Sequence, residues 1–204
     1  PWRPDLSDPF DLVEEVARIV GYDRVPSVLP TAPGGRGLTR GQKLRRRVGR
    51  VLAGAGFTEV VSFPFVGEAD LDRLRLAASD SRRTVLRLAN PLSAEEPFMT
   101  STLLPGLLKA AARNVGLASA DLALCEVATV TWPRSDAGAA PILGVDRRPS
   151  AEEYDALLAA LPEQPWTVGL VLCGEREQAG WWGPGRPATW ADAIDAARQI
   201  GEAL

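Results

Sequence analysis

The sequence predicts an α+β fold, strands and helices in one core with a helical stub in front of it. Three observations carry this. Apolar residues recur at helical spacing through residues 39–55. Two segments, 121–131 and 166–173, have strand length and strand-like apolar content. The run Thr31-Ala32-Pro33-Gly34-Gly35-Arg36-Gly37 has no periodicity and separates both from what precedes. The division expected is therefore 1–30 as a stub, the C-terminal end of a preceding domain, and 31–204 as the core.

The stub helix is punctuated at both ends. Asp8 is placed to cap it, Pro9 occupies the first helical position, where its missing N–H costs nothing, and Gly21 stops it. A lone helix of about a dozen residues is marginal in water. It must either dock on the core or belong to a domain whose remainder lies outside this sequence, and the second is expected.

In the core, Thr39 caps a helix reaching Ala55, with Leu44, Val48, Val51 and Leu52 on one face and Arg40, Lys43, Arg45, Arg46, Arg47 and Arg50 on the other. After Gly56, residues 57–66 alternate as a strand whose Pro64 marks an edge or an end. A charged helix over 68–78 leads to a strand over 84–88. Residues 90–108 then run into a helix passing Arg113 and Asn114. The strand 121–131 places Leu122, Leu124, Glu126, Ala128 and Val130 on one face and Ala123, Cys125, Val127 and Thr129 on the other. Both faces are largely apolar, which predicts a central strand. Residues 133–149 read as an exposed loop. Ser150 caps a helix to Ala160, a strand spans Trp166–Cys173, and Thr189 caps a last helix over 190–204.

Composition sets limits on function. The chain has 204 residues, a net charge of -3 and no histidine. Lack of histidine removes the commonest general base, Ser-His and Cys-His nucleophile systems, and most zinc sites. No apolar run approaches the roughly 20 residues that span a bilayer, so a cytoplasmic address is expected. Cys125 and Cys173 lie in apolar strands, where thiols are usually inert. The Trp181-Trp182-Gly183-Pro184-Gly185-Arg186-Pro187 turn lacks phosphate-loop spacing, and its tryptophans are better suited to covering the sheet or facing a partner.

The densest group of chemically capable residues is Asp5, Asp11, Glu14 and Glu15. The last three stand at i, i+3 and i+4 and share one helix face. An all-oxygen set of this kind suits a hard cation such as magnesium rather than zinc. The same acidic pattern is also favoured at a helix N-terminus by the macrodipole alone, and spacing does not separate the two.

Several motifs resemble one family. Trp2-Arg3-Pro4-Asp5, then Asp11-Leu12-Val13-Glu14-Glu15, then Gly21-Tyr22-Asp23-Arg24-Val25-Pro26 follow the pattern W-R-x-D, D-L-[IV]-E-E, G-Y-[DN]-x-[IV]-P of the bacterial phenylalanine-tRNA ligase beta subunit. Asn90-Pro91-Leu92-Ser93 through Leu103-Leu104-Pro105-Gly106-Leu107-Leu108 resembles its N-P-L-S…T-S-L-L-P-G-L-L stretch. Here Thr100 stands where the family usually has Arg, and Ser101 and Thr102 are exchanged in order. The helix of 39–55 and following strand are similar to the first class II synthetase signature, whose helix packs at a dimer interface. The resemblance implies a class II aminoacyl-tRNA synthetase-like, non-catalytic core, a mainly antiparallel sheet flanked by helices with an N-terminal helical stub. It places magnesium ligands on Asp5, Asp11, Glu14 and Glu15, and makes the alpha subunit the partner that uses ATP, within an alpha2beta2 tetramer that acts on tRNA(Phe). Catalytic class II enzymes carry F-R-x-E on the strand matching 121–131, with the Arg on the ATP phosphate. Leu124 fills that slot here and offers a phosphate neither charge nor donor. Two other functions fit parts of the sequence: a nucleic-acid-binding module using the basic helix 40–50, and a stand-alone, non-catalytic synthetase paralogue.

Overall fold

The computed structural model describes residues 2–31, 34–35, 37–136 and 138–204. The chain forms two compact units, Pro1–Leu38 and Thr39–Leu204.

In the first unit, α1 spans Pro9–Val20 and a 3-10 turn covers Tyr22–Arg24. The caps act as their residue types dictate. The Asp8 carboxylate accepts from the Phe10 N–H, and Gly21, at φ 104°, ends the helix in a conformation that side chains resist. α1 buries none of its residues, and Phe10 and Ile19 are 79% and 76% exposed.

The second unit contains α2 (Arg40–Gly54), β1 (Thr58–Glu59), β2 (Phe65–Val66), α3 (Glu68–Arg73), β3 (Phe98–Met99) and α4 (Leu104–Gly116). These are followed by β4 (Leu122–Thr129), α5 (Ala151–Ala159), β5 (Trp166–Cys173), β6 (Glu175–Glu177), β7 (Arg186–Pro187) and α6 (Trp190–Ala203). The main sheet has the order β1-β4-β5. β1 runs parallel to β4, while β4 and β5 pair antiparallel over their full length, from Leu122 opposite Cys173 to Thr129 opposite Trp166. β2 and β3 form an antiparallel pair, as do β6 and β7.

The alternation along β4 sorts its side chains into two cores. Cys125, with Ala123 and Val127, packs beneath Val48 and Leu52 of α2 and Ala196 of α6. Leu124, with Leu122 and Ala128, packs beneath Leu103, Leu107 and Ala111 of the α4 segment. β4 is thus the middle strand of a helix-sheet-helix sandwich, as its two apolar faces predict. Leu52 and Leu107 are fully buried, each contributing about 1.5–3 kcal/mol. Gly169 makes the close approach of α4 possible, because a Cβ there would meet Leu107 Cδ1 at 2.5 Å. Cys125 and Cys173 sit in opposite cores and are both free, and burial pushes the Cys125 thiol up.

Three elements differ from expectation. Residues 57–66 are not one strand: β1 joins the main sheet and β2 pairs with β3, because between them the Ser62 N–H turns out of the ladder to a carboxylate of Glu126. The helix expected over 68–78 stops at Arg73, with Arg75 at φ 54°. The strand expected over 84–88 is an extended segment with one bridge, Arg87 to Phe98, preceded by a 3-10 turn at Ser81–Arg83.

Candidate functional site

The acidic arm is built on a short turn, in which the Leu6 N–H donates to the Arg3 carbonyl at 3.2 Å. The turn brings the Arg3 guanidinium between two of the four carboxylates. Arg3 Nε and Nη2 donate to Asp5 at 2.7–3.0 Å, and Nη2 also donates to Glu15 Oε1 at 2.8 Å. Glu15 accepts a further bond from Arg18 at 2.7 Å. These cations hold both carboxyls below their ordinary range, Arg3 at Asp5, and Arg18 followed by Arg3 at Glu15. Asp11 is used differently: its Oδ2 accepts from the Ser7 and Asp8 N–H groups at 2.9 and 2.8 Å, closing the capping box of α1. Glu14 is exposed and makes no hydrogen bond or ion pair among the described residues.

The arm therefore brings Asp5 and Glu15 together through Arg3 and leaves Asp11 and Glu14 apart from that pair. Among the described residues no three carboxylates converge. The donor chemistry does suit a hard cation: every candidate donor is a carboxylate oxygen, and two of them already share a positive charge. Sequence reasoning missed Arg3, whose only trace is a cation two residues before Asp5.

The second candidate is the β4 face on which catalytic class II enzymes handle nucleotide. Leu124 there is 5% exposed and sealed under α4. Glu126, two residues on, is 3% exposed and occupied: Oε1 accepts from the Ser62 N–H at 2.7 Å and Oε2 from Ser62 Oγ at 3.0 Å. The space beside Glu126 and Ser62, bounded by Phe65, Thr100, Leu103 and Gly106, amounts to about 30 Å³. That admits a water or two, whereas small-molecule sites run to about 300–1,000 Å³. Gly106 lets Ser62 sit this close, since a Cβ there would meet Ser62 Oγ at 2.5 Å. Thr100, at the family's Arg position, is buried and donates its hydroxyl to the Thr102 carbonyl at 2.7 Å, so it holds the turn entering α4. The sequence trace of Glu126 is a lone carboxylate in an apolar strand. Its partner lies 64 residues away and leaves no local mark.

A wider cleft of about 340 Å³ at the start of β4 is lined by Leu122, Leu124, Leu172, Asp121 and Arg176. Trp181 and Trp182 meet edge to face with centroids 5.8 Å apart, at 95% and 66% exposure, and Trp190 is also exposed. On α2, Arg45 lies 3.9 Å over the Trp166 ring and Arg47 donates to the Ala203 carbonyl, while no residue of the basic face pairs with a carboxylate among the described residues. No helix among the described residues is long and apolar enough to cross a membrane.

Comparison with known proteins agrees with these features. Residues 25–204 match a family described as "Phenylalanyl tRNA synthetase beta chain CLM domain". The chain is 61% identical over 199 residues to the "Phenylalanine--tRNA ligase beta subunit" of Thermobifida fusca, and 58% identical to that of Streptomyces avermitilis. These matches take in 97% and 98% of the chain and 24% of each relative, so the chain spans about a quarter of the length of the curated relatives it matches. Among solved structures, the pyrrolysyl tRNA synthetase PylSc of Desulfitobacterium hafniense superposes over 95% of the chain and 52% of its own, with a TM-score of 0.52 at 14% identity. That likeness shows the fold alone, and the fold is the class II synthetase-like α+β core the sequence predicts. On the family match and these identities, the chain belongs to the phenylalanyl-tRNA synthetase beta chain family.

Proposed function

We propose that this chain is the non-catalytic core of a phenylalanine-tRNA ligase beta subunit, working in assembly while an alpha subunit activates phenylalanine with ATP and passes it to tRNA(Phe). In this reading residues 1–30 end a preceding metal-binding domain and residues 31–204 form the core that pairs with alpha. Two such pairs make an alpha2beta2 tetramer in the cytoplasm. The observation that carries the reading is the pair of buried residues on β4, with Leu124 in the phosphate-binding slot and Glu126 taken by Ser62 beside only about 30 Å³ of free space. A nucleotide has no room beside Glu126, and Leu124 offers its phosphate neither charge nor donor. The exposed Trp181, Trp182 and Trp190 support a protein-facing role, since aromatic side chains are enriched at interfaces.

Asp5, Asp11, Glu14 and Glu15 are proposed to hold magnesium. A bound ion would supply a structural cross-link between carboxylates, and no step of the reaction is assigned to it. The test is amino-acid-dependent ATP–pyrophosphate exchange with full-length subunits purified apart and together. Exchange should require alpha and be absent from beta alone. Phenylalanine-dependent exchange by beta alone would overturn the reading.

A second reading has one observation in its favour, the six basic residues of α2 without a carboxylate partner among the described residues. If that face binds nucleic acid, affinity should fall steeply with salt, with a slope near -0.9 per phosphate neutralised. A complex insensitive to salt between 50 and 200 mM dismisses it.

A further inference from the structure

We infer that the cavity just past the end of β4 is a binding site for an uncharged, nucleoside-sized molecule, with its ring against Trp132 and its polar groups among the hydroxyls of Thr84 and Thr102. The inference goes beyond assembly and is independent of the metal reading. The cavity measures about 520 Å³, inside the range of about 300–1,000 Å³ usual for small-molecule sites. Thr102 lines both this cavity and the small space beside Glu126, and the two share no other lining residue. Four stretches far apart in the chain converge on it, within residues 81–84, 101–102 and 130–133 and at Thr167 of β5.

The walls are fixed before any ligand arrives. Ser101 Oγ donates to the Arg82 carbonyl, and Trp132 Nε1 donates to the Ser101 carbonyl at 3.1 Å, so three of the stretches are tied to one another. The Thr131 N–H donates to the Thr100 carbonyl at 2.8 Å, and Trp132 and Glu163 exchange backbone bonds at 2.9 and 3.1 Å. A site held in this way loses little freedom on binding.

The lining selects the ligand. Trp132 is 45% exposed and, with Val130 and Pro133, gives the cavity an apolar wall suited to a flat ring. The hydroxyls of Ser81, Thr84 and Thr102 make no hydrogen bond among the described residues. Each can both donate and accept, which matches ribose hydroxyls and the amide edge of a base. Arg82 is the one ionisable residue of the lining among the described residues, and Asp80 already neutralises it through Nε at 2.9 Å and Nη2 at 2.7 Å. A phosphate or carboxylate thus meets no free positive charge, and an uncharged ligand has no ionic hydration to lose.

The experiment measures binding of radiolabelled uridine to the assembled full-length ligase by equilibrium dialysis. Saturable binding below about 1 mM is expected for a ligand of this size. Thr84→Val and Thr102→Val remove a hydroxyl and keep the shape, and each should weaken binding about three- to tenfold, the loss of one hydrogen bond. Thr58→Val, in the cleft at the other end of β4, should leave it unchanged. Uridine 5′-monophosphate should bind no more tightly than uridine, because Arg82 is already paired. All three variants should co-elute with the alpha subunit and keep the wild-type melting midpoint, which separates a lost site from a lost assembly. Absence of saturable uridine binding overturns the inference, as does binding that neither Thr84→Val nor Thr102→Val weakens. A monophosphate bound more tightly than uridine contradicts it as well.

Discussion

Glu15 and Glu126 are the same residue type in opposite situations, and the contrast separates the two regions of this molecule. Glu15 lies on a helix that buries nothing and shares two guanidinium groups with solvent. Glu126 lies in the middle strand and is filled by the N–H and hydroxyl of one residue, Ser62. An exposed carboxylate held by mobile cations can trade them for another cation, whereas a buried one with satisfied oxygens is closed to exchange. The carboxylates of the arm are therefore open to exchange, and Glu126 is part of the structure.

The contrast breaks most visibly if the closed face is made to look catalytic. Leu124→Arg restores the residue type of the phosphate slot yet puts an unpaired charge beneath α4. It should cost at least about 3 kcal/mol in thermal unfolding and give no ATP binding by calorimetry. A folded variant that binds ATP would show the face to be open.

Glu126→Leu leaves the Ser62 N–H and hydroxyl without partners in a site too small for more than a water or two. It should cost about 1–3 kcal/mol by chemical denaturation. The corresponding change in the arm, Glu14→Ala, should stay within about 0.5 kcal/mol in metal-free buffer, because nothing among the described residues leans on it. The two regions would cease to differ if both changes cost the same.

Acid should separate the regions further. Asp80 is held down to about 2 by Arg82. Asp192 is held lower still by Arg186, with help from the Thr189 N–H at the start of α6. Both have folded values below their ordinary 3.8, so the stability they lend is fully present above about pH 4 and is lost as pH falls toward 2. Asp192→Asn should flatten the acid limb of a stability–pH curve, and Glu14→Ala should leave it unchanged. The N-cap N–H that Asp192 accepts lies beside Trp190, so loosening of α6 should also register as a shift in tryptophan emission.

What was legible in the sequence follows from how local its causes are. Asp8, Thr39 and Ser150 cap their helices with bonds to residues two or three positions on, and those starts can be read directly. The two faces of β4 were legible for the same reason, since a period of two residues assigns each side chain to a core. Residues 57–66 misled because the break at Ser62 is imposed by Glu126 across 64 residues. The β6–β7 pair was not foreseen, and the short α3 ended earlier than its charged pattern suggested. There Asp70, buried with its carboxyl held down by Lys109 against the cost of burial, matters more than the turns that follow. In the arm, the residue types of a cation site were plain, while the pairing of Arg3 with Glu15, 12 residues on, depends on a turn that spacing does not reveal.

In the proposed function this core works by pairing rather than by chemistry. The most direct measurement is the mass and stoichiometry of the full-length beta chain co-expressed with its alpha subunit, determined by light scattering after size-exclusion chromatography. A single species holding equal numbers of both subunits at the mass of two pairs is the predicted result. Separate elution, with alpha fully able to charge tRNA(Phe) on its own, would contradict it.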